Sequence, residues 1–516
     1  MKTALALLLT ASCISNPPMP PPAPVENPQA AGAGPAKPAA ATAVPAPIST
    51  PDAEFRAKPP GPSAKTDFVA PAPKTIKLSN GLPVYLVERH DLPLVALALS
   101  FKSGADTASR ARAGLPSMVL DLLDEGTQSR DAAALARGFE DLAAQYHTQA
   151  DADSSTVSFS ALAGTFEPTL ELFADVVLHP AFRKPDFERV QKQRLGQIAQ
   201  SLDDPQAIGQ HVLARVLFGE KHPWAFPSDG TVDSIKALTP QDLAGWHKAH
   251  FQPANAAMFV VGDVTEAALK DALEKRFAGW KNSGAPKPPK NTAPKAGVRV
   301  VTLVDKPDAP QSQIWIGEIG VSSMAPDIFP VRIMNNILGG SFNSRLNGNL
   351  RTEHAYSYGA FSFFDTHREA GAFAAASGVV ADKTGEALGE FMKELARMKT
   401  GEITDAELND AKDGLVRTIP ALFASNEATA GALARAWSHG LPADYYARYQ
   451  ERVLAVTKED VARAARERLH PDNMAIVVVG PGKIIEEKIA AMKFGRVEVR
   501  DANGEAVKAA RAAAGK

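Results

Sequence analysis

A segment that occurs twice, half a chain apart, limits what this sequence can fold into. Residues 238–264 and 456–482 align without a gap at a constant offset of 218 positions. Each copy carries a capping-box helix start, a helical pattern, a Pro-x-Asn break and a short apolar run ending in Gly. The matching pairs are Thr239 and Thr457, Asp242 and Asp460, Asn255 and Asn473, and Gly262 and Gly480. The repeat predicts two domains with the same fold, because solenoid repeats have far shorter periods.

Composition narrows the functional class. The formal net charge of the 516 residues is -2, which argues against a nucleic-acid partner, because such a partner calls for a basic face. The chain has one cysteine, Cys13, so it contains no intramolecular disulfide.

The N-terminal residues are typical of an exported protein. Lys2 is followed by an apolar run and then by small residues directly before Cys13. We predict a signal peptide over residues 1–12 of the bacterial lipoprotein type, with Cys13 lipidated and holding the protein on a membrane. Absence of an acidic residue after Cys13 favours the outer membrane, facing the periplasm or the cell surface. An ordinary signal peptide with an incidental cysteine is the alternative.

Residues 13–73 form a Pro/Ala-rich segment with little apolar bulk, and 17 of the 40 prolines lie between positions 14 and 73. Such a composition cannot bury enough surface to fold, so we predict a disordered tether. Beyond it we predict a first domain over 74–280, a Pro/Lys-rich linker over 281–297, a second domain over 298–495 and a flexible tail over 496–516.

Several ordered motifs resemble one protein family. They are Asn80-Gly81-Leu82 between two strands, Gly114-Leu115 and Gly126-Thr127 around a helix, His179-Pro180-Ala181-Phe182, His222-Pro223-Trp224, and Pro253-x-Asn255 before Val260-Val261-Gly262-Asp263. From about residue 74 to 495, this order is similar to the pitrilysin/insulinase (M16) family of zinc peptidases. The resemblance implies an α+β fold with two tandem homologous domains, each an antiparallel-rich sheet packed with helices.

Active members of that family carry His-x-x-Glu-His on the helix between Gly-Leu and Gly-Thr. The two histidines and a later glutamate bind zinc, and the first glutamate is the base for the metal-bound water. In this chain the corresponding positions are Ser117, Leu120, Asp121 and Gln197. We therefore expect no metal, no cofactor and no catalytic residue in this chain, which resembles the non-catalytic subunit of the family.

Two other sets of residues could hold a cation. His247 and His250 stand three positions apart on a helix, but position 250 is an ordinary packing position before Pro-x-Asn in this family. Asp121, Asp124 and Glu125 form a carboxylate cluster at a helix end, where charged residues are usually solvated. Neither set is expected to bind metal.

The second half keeps a pair of residues that the family uses to bind substrate. The resemblance implies an Arg and a Tyr seven positions apart that face the active site, and Arg351 and Tyr358 have this spacing. A guanidinium and a phenol are donors suited to a peptide carbonyl and to the oxyanion formed when water attacks it. Tyr356, two residues earlier on the strand, is the rival phenol.

Loss of the zinc positions together with retention of this pair favours a non-catalytic subunit. It would close over a zinc-bearing M16 partner and help to bind extended peptide, with zinc only in the partner. The first alternative is a peptide-binding or structural scaffold without protease activity, and the second is a self-sufficient zinc metalloendopeptidase. Whether this chain contributes to an enzyme thus depends on the partner.

Overall fold

The computed structural model describes residues 68–507, except residues 285, 288, 293, 295–298 and 401. The predicted signal peptide, the lipidation of Cys13 and most of the predicted tether lie outside these residues. The described part is built on two six-stranded sheets, one in each half of the chain.

The first sheet has the order β1-β2-β6-β3-β5-β4. Strands β2 and β6 are parallel, and the other neighbours are antiparallel. The strands are β1 (Lys74–Lys77), β2 (Pro83–Glu88), β3 (Leu94–Phe101), β4 (Gln145–Ala150), β5 (Ser155–Leu162) and β6 (Ala256–Gly262). The helices of this half are α1 (Leu115–Asp121), α2 (Ala132–Asp141), α3 (Phe166–Leu178), α4 (Lys184–Ser201), α5 (Pro205–Phe218), α6 (Val232–Ala237), α7 (Pro240–His250) and α8 (Glu266–Phe277).

The second sheet has the order β12-β7-β11-β8-β10-β9. Strand β7 is parallel to both β11 and β12, and the remaining neighbours are antiparallel. The strands are β7 (Val300–Asp305), β8 (Gln311–Ile319), β9 (Ser357–Phe364), β10 (Ala372–Val380), β11 (Ala475–Gly480) and β12 (Arg496–Arg500). The helices are α9 (Ile328–Asn335), α10 (Arg345–Asn347), α11 (Thr384–Thr400), α12 (Asp405–Thr418), α13 (Asn426–Ser438), α14 (Tyr449–Ala455), α15 (Lys458–Arg468) and α16 (Gly482–Ala491).

The repeated segment has the same structure in both halves. Helices α7 and α15 begin at full capping boxes, in which Thr239 pairs with Asp242 and Thr457 with Asp460. Each helix leads into an inner strand of its sheet, β6 or β11, and every residue of those two strands is buried. A strand buried on both faces explains the continuous apolar runs, which would alternate if one face met water.

Each sheet packs on two different sets of helices. One face of the first sheet covers the core formed with helices of its own half. The other face receives α13 from the second half, where Ala430, Leu433 and Ala434 meet Ala257, Phe259 and Val261. The reverse contact also exists, because Ile208, Val212 and Leu213 of α5 pack on the second sheet against a set of residues that includes Trp315 and Val477. The two halves therefore exchange one helix each.

The structure corrects two of the predicted domain bounds. Phe68 packs against Phe423 at a ring-centroid distance of 5.5 Å, and Ala70 is buried in the core of the second half. Packed residues therefore already occur at position 68, before the predicted start of the first domain at residue 74. Residues 496–500, predicted as part of a flexible tail, form β12, which pairs with β7. Alternation of charged and apolar residues in Arg496–Arg500 suits an edge strand.

No helix in the described part of the chain is long and apolar enough to cross a membrane.

Candidate functional site

Helix α1 carries three of the four positions where the family resemblance placed zinc chemistry. Gly114 precedes it with a φ of +86°, a conformation that favours glycine. Ser117 is buried, and its hydroxyl oxygen has no hydrogen-bond partner. Leu120 is 1% exposed and belongs to the apolar core. A buried leucine cannot take a proton from water, so the position of the catalytic base is chemically inert.

Asp121 has a partner that disfavours a metal. Arg194 of α4 forms ion pairs with Asp121 and with Asp229, and its own side chain is only 8% exposed. Burial raises the pKa of Asp121, and the Arg194 guanidinium opposes that shift. A guanidinium fixed beside this carboxylate repels a dication and occupies one of its two oxygens.

Gln197, at the third ligand position, lies exposed on α4 one turn from Arg194. The residues of α1 and α4 therefore do not fit a zinc ion. Glu125 in the neighbouring carboxylate cluster pairs with Arg189.

The two histidines on α7 are packing residues. The Nε2 atom of His247 lies 2.9 Å from the carbonyl oxygen of Val177, and burial lowers the pKa of this histidine to about 4. The His250 ring stacks on Trp246 at 4.6 Å, and its Nδ1 atom lies 2.8 Å from the Ser103 hydroxyl. Their ring nitrogens have different partners on different elements.

Arg351 and Tyr358 lie on neighbouring segments of the second half. Arg351 is in a π-helical turn, Gly348–Glu353, and Tyr358 is on the edge strand β9. Arg351 is exposed and stacks over the Phe342 ring, with 4.6 Å from Cζ to the ring centroid. Tyr358 is 88% exposed. Among the described residues, neither polar group forms a hydrogen bond, so both are available to a ligand.

Three exposed aromatic side chains, one of them Tyr358 itself, lie in this stretch of the sequence. Phe342, Tyr358 and Phe361 are 66%, 88% and 39% exposed, and no other Phe, Tyr or Trp in the described part of the chain is exposed to this degree. Exposed aromatic residues are enriched at binding surfaces, so this stretch is a candidate for one. We call Phe342, Arg351, Tyr358 and Phe361 the aromatic platform.

Buried polar contacts hold the platform in place. The Asn347 side chain donates to the carbonyl oxygen of Phe342 at 2.6 Å and accepts from the Ala360 amide at 3.2 Å, which ties the Phe342 loop to β9. Arg345 forms a two-point ion pair with Glu407. Burial would raise the pKa of Glu407, but hydrogen bonds from Arg345 and Thr404 lower it to about 2. The loop is therefore anchored from two sides.

Gly339 allows the turn Asn336–Gly340 to lie close against β9. A Cβ atom at position 339 would lie 2.5 Å from the Ser362 amide nitrogen of β9. The π-helical turn Asn336–Gly340 can therefore press against the strand only because this residue lacks a side chain.

Arg351 and Tyr358 were predicted from the sequence, whereas Phe342, Phe361 and Asn347 were not. Tyr356, the rival phenol, stacks on His354 at 5.1 Å and packs against the core, outside the platform. Phe342 follows Gly339-Gly340-Ser341, which could have suggested an exposed loop tip, but nothing in the pattern distinguishes it from a core phenylalanine. Asp153, His367 and His439, which come together elsewhere, carried no motif at all.

Both halves match models of one family. Residues 84–222 match the model described as insulinase (peptidase family M16), and residues 237–415 match the model described as the peptidase M16 inactive domain. Together the two matches span more than half of the chain.

Relatives and solved structures extend the match. An uncharacterized zinc protease of Bacillus subtilis (strain 168), YmxG, is 21% identical over 415 residues, covering 79% of this chain and 98% of the relative. A crystal structure of a peptidase M16 inactive domain from Pseudomonas fluorescens is 28% identical with a TM-score of 0.74, covering 79% of this chain and 98% of that chain. A Helicobacter pylori protease shares the fold, with a TM-score of 0.74 at 21% identity, covering 79% of this chain and 99% of the other.

The tandem order of the two matches agrees with the two sheets and the duplicated helix–strand segment. The chain consists of two M16-type domains and belongs to the M16 insulinase-like peptidase family.

Proposed function

We propose that this chain is a non-catalytic M16 subunit that pairs with a zinc-bearing M16 partner and contributes Arg351 and Tyr358 to the binding of extended peptide. One contrast within the molecule carries the proposal. On α1, the position of the base holds the buried Leu120 and one ligand position holds Asp121, which is paired with Arg194. Arg351 and Tyr358, in contrast, are exposed, and their polar groups form no hydrogen bond among the described residues. A chain that binds substrate without cleaving it needs Arg351 and Tyr358 but does not need the zinc ligands.

The chemistry assigned to the platform is hydrogen bonding. The Arg351 guanidinium and the Tyr358 hydroxyl would donate to peptide carbonyl oxygens, and the rings of Phe342 and Phe361 would cover apolar side chains. Donors placed beside the partner's metal would also stabilise the oxyanion that forms when water attacks the scissile carbonyl.

The proposal is tested with the full chain and an M16 chain from the same organism that carries His-x-x-Glu-His, purified separately and then mixed. We expect no hydrolysis of an unstructured peptide by this chain alone, and hydrolysis by the mixture well above that of the partner alone. A partner in which the motif glutamate is replaced by glutamine should give no hydrolysis. If the mixture shows no interaction and no gain, the scaffold alternative replaces this one.

Arg351 gives the sharper prediction. Replacing it with alanine should lower kcat/KM of the mixed complex by about 10- to 100-fold, because one hydrogen bond to a charged donor contributes about 1.5–3 kcal/mol. Tyr358→Phe should cost about 3- to 10-fold by loss of a neutral hydrogen bond. Arg466→Ala removes an exposed arginine of α15 and is the matched control. Equal effects of Arg351→Ala and Arg466→Ala would contradict the assignment.

We also propose that the subunit is exported and anchored through a lipid on Cys13, so that the pair works at the periplasmic or outer surface of a membrane. Cys13 is the only cysteine, and small residues precede it directly. Labelled fatty acid should enter the wild-type chain during growth and should not enter Cys13→Ser. Equal labelling of both would contradict lipidation at this residue.

A further inference from the structure

Three side chains of metal-ligand type meet where the two halves of the folded chain touch. Asp153 lies between β4 and β5, His367 lies between β9 and β10, and His439 directly follows α13. One candidate ligand atom of each lies within 4.8 Å of the other two. The aspartate comes from the first half, and both histidines come from the second.

Asp153 has an oxygen without a partner. The residue is 1% exposed, and its Oδ2 atom accepts a hydrogen bond from the Arg368 amide at 2.9 Å. Its Oδ1 atom is buried and forms no hydrogen bond. The Nε2 atom of His439 lies 3.9 Å from Oδ1, too far for a hydrogen bond. A buried carboxylate oxygen left unsatisfied is costly, and a cation between these groups would remove that cost.

His367 is held in the manner of a metal ligand. Its Nε2 atom lies 3.0 Å from the Asp365 carboxylate, and Trp224 of the first half packs on the ring at a centroid distance of 4.7 Å. In the neutral ring, a carboxylate that accepts the Nε2 hydrogen leaves Nδ1 as the nitrogen open to a metal. Burial would lower the pKa of His367, but the same carboxylate raises it, so a metal ion at this ring would displace a proton.

The surrounding charge favours a cation. Asp106 and Asp153 contact Arg368, and Asp365 contacts His367, so three carboxylates face one guanidinium in the group. Asp151 and Arg435 act on His439 from further away with opposite signs. The three carboxylates outnumber the one guanidinium, and the proton that Asp365 favours on His367 is the charge that a bound dication would replace.

Open space lies on the Asp153 side of the group. A cavity of about 200 Å³ is lined there by Asp106, Asp153, Trp224, Arg368, Glu369 and linker residues 289–291, and water could reach Asp153 through it. The side chains of His367 and His439 are 13% and 16% exposed, which leaves a route from solvent.

We propose that Asp153, His367 and His439 bind a divalent transition-metal ion of the Zn²⁺ class, with water completing the coordination. Two imidazoles and one carboxylate form a donor set that suits zinc. Tetrahedral ligand atoms lie about 3.3 Å apart, so the side chains would close by about 1 Å on binding. The ion would cross-link the two halves, and its binding free energy would add to the stability of the fold.

The test uses the full chain, freed of metal by a chelator and titrated with ZnCl₂ against a chromophoric competitor, with Co²⁺ as the spectroscopic probe. We expect one equivalent to bind, visible d–d absorption from Co²⁺, and a rise in Tm of about 3–6 °C at saturation. His439→Ala should lose more than about 100-fold in zinc affinity, and Asp365→Asn, which removes the carboxylate behind His367, about 10- to 100-fold. His147→Ala, at an exposed histidine of β4, is the control and should bind like wild type.

Near-ultraviolet circular dichroism of the metal-free proteins establishes that each variant is folded. If the folded wild-type protein binds neither Zn²⁺ nor Co²⁺, the proposal is wrong, and Asp153, His367 and His439 form only an ion-pair cluster. Unchanged affinity in folded His439→Ala would do the same. The test needs neither peptide nor partner chain, so its result is independent of the function proposed above.

Discussion

Arg194 links segments of the first half that are far apart in the sequence. It lies on α4, and its guanidinium bridges Asp121 on α1 and Asp229 near the start of α6. A buried guanidinium needs such partners, since its unpaired burial would cost several kcal/mol. The ion pairs thus join three elements at the place where active family members hold zinc. In this chain, the corresponding region is held together by these ion pairs.

His247 gives the stability of the fold a pH dependence. Burial lowers its pKa to about 4, against the hydrogen bond to the Val177 carbonyl, which favours the protonated form. An unfolded histidine titrates near 6.5. The stabilisation is therefore fully present above pH 6.5 and is lost as the pH falls towards 4, because the unfolded state binds the proton first.

We expect the free energy of unfolding to fall by about 2 kcal/mol between pH 7 and pH 5 through His247 alone. Urea denaturation in the presence of a chelator measures the fall. His247→Gln keeps a hydrogen-bond donor but does not titrate, so the fall should shrink by that amount. His147→Gln should retain the wild-type dependence. An unchanged fall in His247→Gln would show that this imidazole is protonated in the folded protein.

Helix α5 can lie on the second sheet because it carries Gly209. A Cβ atom at position 209 would lie 2.3 Å from Cδ1 of Trp315, a core residue on β8. Glycine in the interior of a helix lowers its propensity by about 1 kcal/mol relative to alanine, and here close packing on the indole compensates. In α13, the counterpart helix, a Cβ atom at Gly431 would meet nothing within 4 Å.

This difference between the two helices predicts opposite effects of one substitution. Gly209→Ala should lower the free energy of unfolding by about 1–3 kcal/mol, because the methyl group displaces a buried tryptophan. Gly431→Ala should raise it by up to about 1 kcal/mol through helix propensity. Equilibrium denaturation of both variants, followed by Trp fluorescence, measures the pair. A stabilising effect of Gly209→Ala would mean that α5 does not rest on Trp315.

The exchange of α5 and α13 makes the two halves one folding unit. Each of these helices buries its apolar face on the sheet of the opposite half. Phe68, Trp224 and Arg368 add further contacts between residues far apart in sequence. A half expressed by itself would expose one face of its sheet and one apolar helix, which favours aggregation.

Cleavage of the linker should therefore leave the halves together. With a specific protease site inserted between Pro294 and Arg299, the cut protein should elute from a sizing column at the volume of the intact chain. High salt should not separate the fragments, since the contacts are mainly apolar. Elution of two separate fragments in native buffer would show that the exchanged helices contribute little.

Local patterns determined the architecture and indicated some of the candidate site residues. The duplicated capping boxes at Thr239 and Thr457, with the apolar runs that follow, were enough to predict two like domains, since capping and burial are encoded within a few neighbouring residues. The spacing of Arg351 and Tyr358 was readable because both lie on consecutive elements of one half. Ser117 and Leu120 stand where active family members carry a zinc ligand and the catalytic base, and their positions between Gly114-Leu115 and Gly126-Thr127 were enough to recognise this.

Only the tertiary structure decided which distant residues meet. The pairing of Asp121 with Arg194, the exchange of α5 and α13, and the group formed by Asp153, His367 and His439 join residues on different elements. No periodicity or motif links them, because their proximity follows from how sheets and helices pack rather than from local propensity. Strand β12 also depends on the tertiary structure, since its five alternating residues form a strand only where the open edge of the sheet at β7 pairs with them.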